Sequence, residues 1–235
     1  MALYQNRIVV KAGTSALTGE LGNTDLRAFD RIACVLSDVQ SMGYQIILVS
    51  SGAIAMGANK LNMRSRPQSM RLKQAAAAVG QCRVIFLYDK FFGDYDKTIA
   101  QILLSAEDIL QEEKKWNLQN TFDALLEMGI IPVVNENDSV SYTEIEGENR
   151  VFGDNDRLSA EVAVLTKASR LIILGEADAR KGGAGRKTKM QAAETAGSHG
   201  ISTYICGGKE PEAIYDILEG KSAEIDFAGE KEKSL

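Results

Sequence analysis

The feature that most constrains this chain is a set of short apolar runs in which polar residues do not alternate with apolar ones. RIVVKAG (7–13), YQIILVSSG (44–52), IAQILLS (99–105), GIIPVVNEND (129–138), residues 170–174 and STYIC (202–206) each carry large apolar residues through their centres. A strand with one wet face alternates, whereas a strand covered on both faces does not. Segments of helical period separate these runs. Residues 25–42 place Leu26, Phe29, Ile32, Leu36 and Val39 on one stripe, with Thr24 as N-cap and Gly43 as stop. Further helical patterns cover 67–92, 117–128, 157–168, 187–199 and 211–219. Strands alternating with helices predict an α/β fold, a three-layer αβα sandwich around a mostly parallel sheet. The sequence shows no linker, repeat or low-complexity stretch, so its 235 residues are expected to form one domain with a tail disordered from about 228.

Composition removes several function classes. A net charge of −5 argues against general binding to nucleic acid or an acidic membrane, although local cations can still hold an anionic substrate. No apolar run is long enough to span a bilayer, and the first residues read as a strand rather than a signal segment, so a cytoplasmic protein is expected. Cys34, Cys82 and Cys206 are widely spaced without a CxxC pair, which reads as reduced thiols. The single histidine, His199, falls late in a helical pattern and reads as a surface residue. A Ser-His-Asp enzyme would have to use it, so triad chemistry is disfavoured.

Ligands of open parallel sheets gather at the carboxyl ends of the strands. The residues just past the strands here are polar or small: Lys11-Ala12-Gly13-Thr14-Ser15, Ser50-Ser51-Gly52-Ala53, Asn135-Glu136-Asn137-Asp138-Ser139, FGDNDRLSA (152–160) and LIILGEADARKGGAGRKTKM (171–190). Each has a plain structural reading as well. Lys11 ends a buried strand and must either snorkel out or meet an anion. The serines of SSGA could simply cap a helix, and NEND could be an Asx-rich turn. The paired acids of GDND could hold magnesium, orient a lysine or receive an amine. Taken together, cations, free backbone amides and acidic lips on one sheet edge suit phosphoryl transfer, which needs positioning and charge neutralisation. The sequence lacks GxxxxGK[ST] and the HRD and DFG signatures, so neither a P-loop protein nor a protein kinase is expected.

These stretches, with VSSGAIAMG (49–57), KQAAAAVGQ (73–81), AQILL (100–104), IPVVNENDSV (131–140) and TKMQAA (188–193), resemble the amino acid kinase family, and within it the glutamate-5-kinase branch. The resemblance implies ATP-dependent phosphorylation of the γ-carboxylate of L-glutamate, with magnesium for which no protein ligand is assigned. Position by position, Lys11 is similar to the lysine beside the transferring phosphoryl group, Lys189 to a second catalytic lysine, and Asp156 to the acid that organises them. Ser51, Gly52, Ala53, Asn137, Asp138 and Asn155 fall at the glutamate site. Lys11, Gly13, Gly175, Glu176, Gly183, Gly185, Lys187, Thr188 and Lys189 fall at the nucleotide site. The resemblance further implies a glutamate-binding lobe (1–168), a nucleotide-binding lobe (169–235), assembly as a homodimer or homotetramer, and feedback inhibition by proline.

The match breaks down after residue 174. Gly175-Glu176 stands where Ser/Thr-Asp is usual, Ala179-Arg180-Lys181 replaces Gly-Leu-Tyr, an intervening segment is absent, and Gly183-Ala184-Gly185-Arg186-Lys187 replaces a Thr-Gly-Gly-Met-x stretch. SAEIDF (222–227) stands where a GTxF motif is usual, and no stretch resembles the PUA domain common in bacterial members. Three readings stay open: a shortened but working nucleotide lobe, a lid segment missing from the sequence, or an impaired kinase acting as a glutamate- or proline-binding regulator. Retention of Lys11, Asp156 and Lys189 favours an active kinase.

Overall fold

A computed structural model of the chain describes residues 2–19, 23–65, 67–140, 155–175 and 184–221. The expected disordered tail, Glu176, Gly183 and residues 152–154 lie outside this set.

Six parallel strands form one sheet in the order β3-β4-β2-β1-β5-β6: β1 (Tyr4–Ala12), β2 (Gln45–Ser50), β3 (Ile99–Leu104), β4 (Ile131–Glu136), β5 (Ala168–Gly175) and β6 (Ser202–Gly207). The helices of the described residues are α1 (Thr14–Leu17), α2 (Leu26–Ser41), α3 (Ala53–Lys60), α4 (Met70–Gly93), α5 (Ala106–Leu110), α6 (Glu112–Glu127), α7 (Asn155–Leu165), α8 (Ala184–Gly197) and α9 (Ala213–Leu218). Strand side chains point alternately to the two faces, and both faces are buried. Ile8, Val10, Ile46, Leu48, Ile131 and Val133 pack with α2, α4 and α9 in one apolar layer. Val9, Ile47, Val49, Val134, Leu171 and Ile173 pack with α6, α7 and α8 in the other. The three-layer αβα sandwich expected from the unalternating runs is the observed fold.

Local differences have local causes. Thr24 pairs with Thr18 in an isolated bridge, so the α2 cap falls to Asp25, whose carboxylate accepts from the amides of Arg27 at 3.1 Å and Ala28 at 3.2 Å. The buried stripe of α2 begins at Phe29, and Leu26 in the first turn is exposed. A one-turn helix, α5, precedes α6, whose start at Glu112 comes earlier than its pattern suggests. Likewise α8 begins at Ala184 rather than 187.

The order of the strands opens two crevices. The helices after β1 and β2 lie on one face and those after β4 and β5 on the other, so neighbours β2/β4 and β1/β5 part at their carboxyl ends. Clefts at such switch points are where ligands bind in open α/β sheets.

The floor of the β2/β4 crevice depends on how closely α3 approaches α4. A Cβ on Gly57 would lie 1.7 Å from the carbonyl oxygen of Ala76, and one on Gly80 would lie 1.8 Å from that of Ala53. Both obstructions are backbone, so no side-chain rotation relieves them. Gly80→Ala should therefore destabilise the fold by about 2 kcal/mol or more, since overpacking a tight site costs about 1–3 kcal/mol. Chemical denaturation measures this, and a loss below about 0.5 kcal/mol would show that the helices separate freely.

Candidate active site

Strand alternation sorts the polar residues at the sheet edge. Lys11, after Val9, projects to the α7 side of the sheet, where it is 5% exposed. It forms an ion pair with Asp156 in the first turn of α7, which is 1% exposed. The second oxygen of Asp156 accepts from the hydroxyl of Thr188 at 2.9 Å, tying α7 to α8. A lysine and a carboxylate both out of water hold their charges only because each has a partner.

Small residues make room for the two lysines. A Cβ at Gly13 would come within 3.2 Å of the carbonyl oxygen of Leu174 and 3.4 Å of the Lys11 Nζ. One at Gly175, the last residue of β5, would come within 3.2 Å of the Lys189 Cε. Lys189 therefore lies across Gly175, and its Nζ donates to the Gly185 carbonyl at 3.3 Å. Gly208, just past β6, approaches the Gly175 Cα within 3.3 Å of where its own Cβ would stand. The carboxyl ends of β1, β5 and β6 thus form a floor of bare backbone flanked by two ammonium groups, a surface that large anions can approach closely.

The other crevice is lined by amides and hydroxyls. The Asn155 Nδ2 lies 2.8 Å from the Ser50 carbonyl, 2.9 Å from the Ser51 Oγ and 2.9 Å from the Asn135 Oδ1. Asn135, 2% exposed, donates in turn to the Gln81 Oε1 at 2.8 Å. The buried Ser50 hydroxyl donates to the Tyr88 hydroxyl at 3.1 Å, and burial pushes that phenol's pKa up. Gly52 caps α3 in the left-handed region (φ +98°), and Ala53 opens that helix. Asn137 continues from β4, its amide bonded to the Leu104 carbonyl at 2.8 Å. Asp138 is half-buried, and loss of water pushes its carboxyl up to about 6.

The residues expected from the sequence therefore gather into two groups. Lys11, Gly13, Asp156, Gly175, Gly185, Thr188 and Lys189 meet at β1/β5, Ser51, Gly52, Ala53 and Asn155 stand at β2/β4, and Asn137 and Asp138 follow the end of β4. Lys187 is exposed in the first turn of α8. His199 is exposed at a helix end, its Nδ1 3.0 Å from the Thr195 carbonyl. The sequence reading carried Ser50 and Gln81 inside quoted stretches without giving either a role, and passed over Tyr88. Gln81 and Tyr88 stand two turns apart on α4, a spacing that reads as core. Among the described residues no group of three or more His, Cys, Asp or Glu side chains could hold a metal ion, and no helix is long and apolar enough to cross a membrane.

The profile of the amino acid kinase family matches residues 6–179. A curated relative, glutamate 5-kinase from Clostridium perfringens, is 41% identical over 259 aligned positions covering 96% of each chain. The glutamate 5-kinase of Enterococcus faecalis is 39% identical over 92% of each. Among solved structures, carbamate kinase from Giardia lamblia bound to AMP-PNP superposes with a TM-score of 0.66 at 12% identity, covering 93% of this chain and 97% of its own. Isopentenyl phosphate kinase does so at 0.63 and 15% identity, covering 92% and 97%. At these identities the likeness is one of fold. The profile match stops inside the connection 176–183, where the sequence leaves the family pattern.

The buried pair yields a stability prediction. Asp156→Leu alone should cost about 3–5 kcal/mol, because it strands the Lys11 ammonium, whereas the Lys11→Met/Asp156→Leu double variant should recover much of that loss. Unfolding of the single and double variants in denaturant gives the coupling directly. Simple additivity of the two losses would mean that the pair is not coupled.

Proposed function

We propose a function from a firm premise: the chain belongs to the amino acid kinase family. It catalyses ATP-dependent phosphorylation of the γ-carboxylate of L-glutamate to γ-glutamyl phosphate, the first step of proline biosynthesis. The observation that carries this reading is the run of glutamate 5-kinase relatives near 40% identity over almost the whole chain.

The geometry supports a division of labour. Glutamate sits at β2/β4, with Ser51, Asn155 and the Asn137–Asp138 lip around it, and the Asp138 carboxylate receives its α-ammonium. The nucleotide phosphates lie on the bare floor of β1, β5 and β6. This corresponds to a glutamate-binding lobe over 1–168 and a nucleotide-binding lobe from 169 onward. The acceptor is a carboxylate already ionised at neutral pH, so its oxygen attacks the γ-phosphorus without a general base. As the new O–P bond forms, the bond from the γ-phosphorus to the β,γ-bridging oxygen breaks, and ADP takes the electron pair. The barrier is chiefly electrostatic, since anion meets anion. Like charges about 4 Å apart repel by roughly 4 kcal/mol at an effective dielectric of about 20. Lys11 offsets that repulsion at the transferring group, Lys189 offsets charge growing on the leaving phosphate, and Asp156 holds Lys11 in place. Magnesium would enter on the nucleotide phosphates, as is usual for this ion, and supply further charge neutralisation. Proline feedback, assembly as a dimer or tetramer, and a cytoplasmic setting belong to the same proposal and rest on the family resemblance.

A competing reading, a regulator that binds glutamate or proline without phosphorylating either, draws on the departure from the family pattern after β5. Retention of both lysines weighs against it, because a sensor needs no transfer apparatus. Trapping the acyl phosphate with hydroxylamine decides between them. Turnover should require glutamate, ATP and magnesium together, and Lys189→Ala should lower it by about 10²–10³. Saturable glutamate binding with no product in the unaltered protein would establish the regulator instead.

The raised Asp138 pKa gives a second test. Above about pH 6 the group is ionised in the free protein and can pair with the ammonium; below that it is neutral. Hence kcat/KM for glutamate should fall roughly tenfold per pH unit below about 6, and Asp138→Asn should have a low, flat profile there. An unchanged inflection in Asp138→Asn would assign the titration to another group.

A further inference from the structure

The amides behind the β2/β4 crevice form a chain whose polarity is set from one end. The carbonyl oxygen of Ser50 can only accept, so the Asn155 atom 2.8 Å from it must be the amide nitrogen. That nitrogen has two protons and faces three oxygens, including the Asn135 Oδ1. With its oxygen turned to Asn155, Asn135 presents its own amide nitrogen to Gln81, which must answer with Oε1. The Gln81 Nε2 is left buried with no hydrogen-bond partner. Leaving a buried donor unmet is a local penalty that calls for an explanation in function.

We infer that Gln81 is a positioning residue for the acceptor substrate: the Ser50 carbonyl sets the sense of the Asn155 amide, and Gln81, by holding the Asn135 amide, keeps the Asn135 Oδ1 in place as a second anchor of the Asn155 nitrogen, so that the remaining polar atom of Asn155 is an acceptor for the α-ammonium. This rests on the reading of β2/β4 as the glutamate site. Without an acceptor at position 81, the buried Asn135 nitrogen is left unmet and the bond from α4 that fixes that amide is lost. The Asn155 amide then keeps its sense but loses its fixed position. The alternation of β4 puts Asn135 on the α4 side of the sheet, the side of Val133. On α4, Gln81, Val84 and Tyr88 share one face, so the helix beside the crevice also anchors its amides.

The test uses Gln81→Met, which keeps the volume and removes the acceptor, and Gln81→Glu, which keeps an acceptor in either protonation state. The readouts are KM for L-glutamate, KM for ATP, and the inhibition constant of glutarate, which lacks the α-ammonium. Gln81→Met should raise KM for glutamate about tenfold, leave KM for ATP within twofold, and shift the glutarate constant little, so that the preference for glutamate over glutarate narrows about tenfold. Gln81→Glu should restore most of that preference. An unchanged preference in Gln81→Met, or equal weakening of glutamate, glutarate and ATP, would reduce Gln81 to a structural residue. Absence of glutamate turnover in the unaltered protein would instead overturn the assignment of the site, and the inference with it.

Discussion

Adjacent residues at the start of α7 hold the two crevices in register. Asn155 reaches the ends of β2 and β4, while Asp156 reaches Lys11 on β1 and Thr188 on α8. Successive residues in a helix point about 100° apart, so a single helical turn can serve two clefts only when it stands between them. The crossover order supplies that placement, because α7 leaves β4 and returns to β5 on the far side of β1 and β2. If the crevices take acceptor and donor as proposed, the two are brought together by rigid elements instead of by a loop. For a reaction whose barrier is mostly misplacement and repulsion, such fixed positioning accounts for a large part of the catalysis.

The Lys11–Asp156 pair has a second role. A buried ion pair contributes little net stability, since desolvation offsets most of its attraction. Its value is that the ammonium is already stripped of water and oriented before any phosphate arrives, so little reorganisation is left for the transition state. The glycine floor works in the same direction. At Gly13 and Gly175 a methyl group would crowd the ammonium of Lys11 or the stem of Lys189, so the bareness of the backbone and the placing of the cations are one design constraint.

Much of this was legible in the sequence. The sheet could be read because both its faces are buried, and the outer ends of its strands because polar residues directly after apolar runs have few structural uses there. Asn155 and Asp156 were legible as polar residues opening a helix, whereas Ser51 and Lys11 belong to that class. Gln81 and Tyr88 do not: their spacing with Val84 is that of a core stripe, and only the insertion of β4 between β3 and β2 puts polar partners opposite them. The short helix α3 was legible only as something the SSGA serines could cap. Its eight residues are too few to hold a helix alone, and it packs closely on α4 across Gly57 and Gly80.

The two halves of the site are built differently. On the acceptor side the Asn155 and Asn135 amides are anchored by hydrogen bonds to the Ser50 carbonyl, to Ser51 and to Gln81 of α4. On the donor side Lys189 and Thr188 stand in the first turns of α8, which follows the connection 176–183, where the family profile match stops. The bond from Thr188 to Asp156 therefore matters more here than a surface hydroxyl usually would. It ties α8 to the helix that carries the acceptor side, so the position of the second lysine is referred to the same turn of α7 as the first. Lys11, Asp156 and Lys189 are located by contacts between helices and strands, so their mutual placement does not depend on the sequence of that connection.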